Sequence, residues 1–149
     1  MNRILKIIAY LAIAFVLSYL ANNGCRDFIK GLSDNIISLL ATILTINIPT
    51  STLIISEINK IKDKFSIDSS PAFKELRHGL IAQIFVLCSL IVILIVCDFI
   101  QNMDFITSWK IHIISGTFVL ASLIYYLEVI YDLGIALFKL IDFKANKKE

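Results

Sequence analysis

A chain of 149 residues that is 58% hydrophobic and 17% charged, with a mean hydropathy of +0.82, is too apolar for a soluble domain of that length. Its 14 Lys and Arg against 12 Asp and Glu leave a net charge of only +2, so direct binding to nucleic acid is not expected. These figures predict a single all-α integral membrane domain over residues 1–149, a four-helix bundle in lipid.

The first apolar block runs from about Ile4 to Ala21, behind Arg3. A basic start and an apolar middle also suit a signal peptide, but Leu20-Ala21-Asn22 lacks the small-x-small pattern of a cleavage site. Nor does Asn22-Asn23-Gly24 supply the apolar residue that a lipidated Cys25 needs three positions upstream. The block reads as a retained anchor, followed by the turn signal Asn22-Asn23-Gly24.

The second block, about Asn35 to Ile55, contains the stretch "LLATILTINIPTSTLIIS". Within and around it, Asn35, Ser38, Thr42, Thr45, Pro49, Thr52, Ser56 and Asn59 are spaced alternately three and four residues apart. That is a period of 3.5, one seam of a helix. Small and hydroxyl-bearing residues let helix backbones approach in lipid and bond across the contact. Pro49 removes an N–H and frees the carbonyl of Thr45, which needs another partner on the same side. The seam is therefore expected to be a packing surface, turned either toward the other three helices or toward further copies in a homo-oligomer. Asn47, Thr50 and Ser51 fall off it, and the seam does not explain them.

Past Thr52, Ile54, Ile58, Ile61 and Phe65 keep one apolar face while Glu57, Lys60, Lys62, Asp63 and Lys64 cover the rest. The helix is expected to leave the membrane as a short basic amphipathic extension. Lys60, Lys62, Lys64, Lys74 and Arg77 together offer a surface to anionic lipid or a cytosolic protein, or serve only as a solvated anchor. Ser70-Pro71 places a capping residue before a proline and predicts the start of the helix that carries the third block, about Gly79 to Val96. The fourth block runs from about Ile111 to Ile130, with Trp109 at its interface. Ser122, Tyr125, Glu128 and Asp132 form a second polar stripe there. Ionisable residues inside spans are functional candidates by default. Counting about 20 residues from Ile111 puts Glu128 within a turn of the interface. Pairing with a basic neighbour or anchoring then competes with a proton or ion role for Glu128 and Asp132.

Eleven of the Lys and Arg residues fall in the N-terminus, the loop 56–78 and the tail 131–149, against three in the other two loops. The positive-inside rule places both termini and the loop 56–78 in the cytoplasm. No catalytic, cofactor or metal site is expected. His78 and His112 lie on opposite faces, Cys25, Cys88 and Cys97 are scattered, and no nucleophile–base, phosphate-loop or zincin pattern occurs. The loop of about 23 residues is too short for an enzyme domain.

A short basic N-terminus, the Ser/Thr-rich second span running into a charged helix, and two further spans with a short outer loop resemble small four-span proteins of bacterial antiphage defence. The layout is similar to that of the membrane component of the Kiwa system, and secondly to Rex-type exclusion proteins. The first resemblance implies an oligomeric inner-membrane sensor that passes envelope disturbance to a cytosolic effector. The second implies a depolarising pore. A small transporter subunit using Glu128 is a third expectation. Membrane lipids are partners in each case.

Overall fold

The computed structural model describes residues 3–65, 70–102 and 108–145, and every one of these except Cys25 is helical. Four helices follow in chain order: α1 (Arg3–Gly24), α2 (Arg26–Phe65), α3 (Ser70–Asn102) and α4 (Ser108–Ala145). They contain the stretches Leu5–Gly24, Asp27–Lys60, Phe73–Gln101 and Trp109–Phe138, each long and apolar enough to cross a membrane.

The helices outrun the apolar blocks because helix formation does not stop where hydrophobicity does. The charged stretch 26–34 between the first two blocks is the first part of α2, with Asp27 in the first turn, where a carboxylate complements the helix dipole. Only Cys25 separates α1 from α2. Its N–H donates to the Ala21 carbonyl at 2.7 Å, closing α1, while its own carbonyl accepts from Phe28 N at 3.1 Å and Ile29 N at 3.5 Å, opening α2. The extension past Thr52 stays helical to Phe65 despite Pro49, and α3 starts at Ser70, at the Ser-Pro signal. Much of the expected tail is also helical, because α4 continues to Ala145.

Contacts far apart in sequence fix the helix directions. Lys6 meets Glu128 while Tyr19 meets Trp109 edge to face at 6.2 Å, so α1 and α4 run antiparallel. Ile29 lies beside Gly116, and Ile36 and Leu40 pack with Val119 and Tyr126, so α2 runs with α4. Tyr126 donates its hydroxyl to the Gln83 carbonyl at 2.7 Å, and Leu90 joins the same core, so α3 runs against both. The helices alternate in direction, as four successive crossings require. Helix α4 is the shared one, and each of the others packs more on it than on any neighbour.

The exterior is the apolar part of the molecule. Phe85, Ile95, Phe99 and Phe138 are among the many large apolar side chains turned outward, on all sides of the four helices. A surface of that kind has no place in water but matches lipid tails. The chain is a multi-pass membrane protein in architecture, a four-helix all-α bundle.

Candidate functional site

The α2 seam points out of the bundle. Asn35, Ser38, Thr42, Thr45, Pro49, Thr52, Ser56 and Asn59 are all exposed. The side of α2 that faces the other helices is instead built from Ile36, Leu40, Asn47, Ser51 and Ile54, all buried. One of the two expected orientations of the seam, toward the chain's own helices, is therefore not the one adopted. The physical reason lies in the neighbouring positions. A helix that buries Ile36, Leu40 and Ile54 against α3 and α4 has only its opposite side left for the seam.

The threonine hydroxyls of the seam are bonded within their own helix. Thr42 Oγ1 donates to the Ser38 carbonyl at 2.8 Å, Thr45 to Ala41 at 2.9 Å and Thr52 to Ile48 at 2.9 Å. Off the seam, Thr50 does the same to Ile46 at 2.8 Å. Asn35 Nδ2 reaches the Gly31 carbonyl at 2.9 Å. Back-bonding to the preceding turn gives each of these four seam groups a partner for a proton it donates. What the threonines of the seam offer a neighbour is small size and close backbone approach rather than unused donors.

The residues that the seam does not explain occupy the interior. Asn47, Ser51, Gln83, Ser18, Asn22, Thr117 and Ser122 are buried. Ser18 Oγ donates across the α1–α4 contact to the Ile113 carbonyl at 2.9 Å, and Thr117 Oγ1 donates to that same carbonyl at 2.7 Å. Gly116 makes this contact possible, since a Cβ built on it would stand 2.5 Å from Ser18 Oγ and 3.3 Å from Ile29 Cγ2. On α1 the inner row is Lys6, Tyr10, Ala14, Ser18 and Asn22, one residue every four, and the small members let α4 come close.

Glu128 has a partner from the other end of the sequence. Lys6 Nζ lies 2.5 Å from Glu128 Oε1, with the two side chains 39% and 20% exposed. The Tyr10 hydroxyl and Asp132 lie close enough to act on the pair. Asp132 itself is exposed. Of the basic surface, Lys60, Lys74 and Arg77 are exposed, and Lys60 pairs with Glu57 at 2.8 Å on the same helix. Such a solvated pair adds little stability. The side chains of Lys62 and Lys64 lie outside the described residues. Among the described residues no group of three His, Cys, Asp or Glu side chains could hold a metal. A groove near the Trp109 end, lined by Val92, Val96, Cys97 and Ile100 of α3 and Ile111 and Ile114 of α4, is apolar.

No protein-family model matches the chain, and no curated protein or solved structure matches it either.

Proposed function

We propose that the protein is a non-enzymatic sensor or scaffold subunit of the bacterial cytoplasmic membrane, with both termini and the α2–α3 connection in the cytoplasm. In this reading copies associate through the α2 seam, and disturbance of the membrane during phage infection is passed to a cytosolic effector. The observation that carries the reading is the division of α2 into two complete faces. One face is buried against the chain's own helices, and the other is a small-residue seam with its threonine hydroxyls satisfied, left for another helix. The exposed Lys60, Lys74 and Arg77 sit on the segments flanking the α2–α3 connection, where a cytosolic partner or anionic headgroups meet them.

The buried polar side chains of the bundle favour a second reading, a pore-forming effector that depolarises the membrane. A potential-sensitive dye in cells expressing the chain separates the two. The sensor reading expects an unchanged potential on expression alone and on phage challenge without the effector. Depolarisation that depends on this chain alone would make it the pore.

A further inference from the structure

The apolar groove between α3 and α4 lies where the stretch Phe73–Gln101 finishes and the stretch Trp109–Phe138 begins, at one end of the bundle. Its floor is Ile111, 4% exposed, while Val92, Val96 and Ile114 on its rim are exposed. It therefore opens sideways, toward the membrane rather than into the bundle. Its volume of about 270 Å³ falls below the roughly 300–1,000 Å³ of pockets that enclose a compact ligand. The α3 wall runs from Val92 to Ile100, about 12 Å at the helical rise. An apolar trough of that length and volume receives part of a chain rather than a whole molecule. With no polar group on its walls it does not hold ordered water.

Positive charge stands just beyond one end of the groove. Lys110 is the only Lys or Arg between Arg77 and Lys139. It is exposed, and it makes no ion pair among the described residues. Helix geometry puts it on the side of α4 that carries Ile114, one turn nearer the helix start, and tilts its side chain toward that start. That is the direction of the headgroups, where a long basic side chain carries its ammonium. Asp98 is exposed on the far side of α3 from Val96 and Ile100, so its carboxylate does not face the groove. We propose that the groove and Lys110 form a binding site for one anionic phospholipid, an acyl chain in the groove and the headgroup phosphate paired with Lys110. A net negative headgroup is favoured because a zwitterionic one carries its own ammonium, which competes with Lys110 for the phosphate. The site needs only that α3 and α4 cross the membrane, so it stands apart from the sensor reading and from the direction of insertion.

The full chain in lipid nanodiscs tests this by photocross-linking. The probe is phosphatidylglycerol with a diazirine in one acyl chain, a minor component in phosphatidylcholine. Phosphatidylcholine carrying the same diazirine is its control. Adducts mapped by mass spectrometry are expected on Val92, Val96 and Ile114 several-fold above those on Ile95 and Phe99, which are exposed on α3 at the same depth outside the groove. The control probe is expected to show no such preference. Lys110→Gln, a change at an exposed position, is expected to abolish the preference. Val96→Trp, which fills the groove, is expected to lower the groove adducts while Ile95 and Phe99 are labelled as before. Groove labelling no higher than at Ile95 and Phe99, an equal preference with the phosphatidylcholine probe, or a preference that survives Lys110→Gln would overturn the proposal, whatever the fate of the sensor reading.

Discussion

Gly116→Ala weakens the bundle, and Gly116→Ala with Ser18→Ala restores the part of the loss that comes from the clash. The new Cβ would lie 2.5 Å from Ser18 Oγ, a separation that real Cβ atoms do not sustain. Ser18 can escape only by turning its hydroxyl away from the Ile113 carbonyl, which gives up the hydrogen bond that ties α1 to α4. The alternative is for α1 to move off α4, and overpacking of that kind costs about 1–3 kcal/mol. Alanine's better helix propensity returns up to about 1 kcal/mol, so the net effect is a loss. With the Ser18 oxygen removed, the nearest atoms are Ser18 Cβ at 3.5 Å and Ile29 Cγ2 at 3.3 Å, which small shifts accommodate. Thermal unfolding in detergent micelles reads the series. Equal stability of Gly116→Ala and the parent protein would contradict the close α1–α4 contact.

Lys6→Met is more damaging than Glu128→Gln, and the double variant is more stable than Lys6→Met alone. Glu128 accepts from Lys6. Without Lys6 a carboxylate on a short stem is left charged within the Trp109–Phe138 stretch without its cationic partner. In Glu128→Gln, Lys6 keeps a long flexible stem that carries its ammonium to water, and the amide that replaces the carboxylate carries no charge. Neutralising both ends removes the stranded charge, so the changes are strongly non-additive. The same stability assay gives the order. Additive effects, or Glu128→Gln as the worse single change, would show that the pair is not an electrostatic unit. A role for Glu128 in ion or proton transport instead predicts lost activity with assembly unchanged in Glu128→Gln.

The number of helices and their character are legible in four apolar runs, because lipid demands about 20 such residues per crossing. Helix ends are less so. Arg26, Asp27, Lys30 and Asp34 read as loop on hydropathy, yet a helix is as comfortable in headgroups as in tails. The seam is legible in its 3.5 period, but its direction is not. In water the polar side of a helix faces out, whereas in lipid both sides of α2 have good reasons to face in. The clue was in the leftovers: Asn47 and Ser51, four apart and off the seam, continue the row of Ile36 and Leu40 with the same spacing. The Lys6–Glu128 pair spans 122 positions, and no local pattern joins its members. Gly116 is likewise invisible as a motif, since the small residue it meets, Ser18, is on another helix.

The seam decides how much function this architecture carries, and disulfide trapping in native membranes tests it most directly. In a background with Cys25, Cys88 and Cys97 replaced, single cysteines at Thr42, Thr45 or Thr52 are compared with one at Ser51. The outward seam predicts rapid chain-to-chain disulfides at the three threonine positions and none at Ser51. Cross-linking at Ser51, or its absence at all three threonine positions, would contradict self-association through this face.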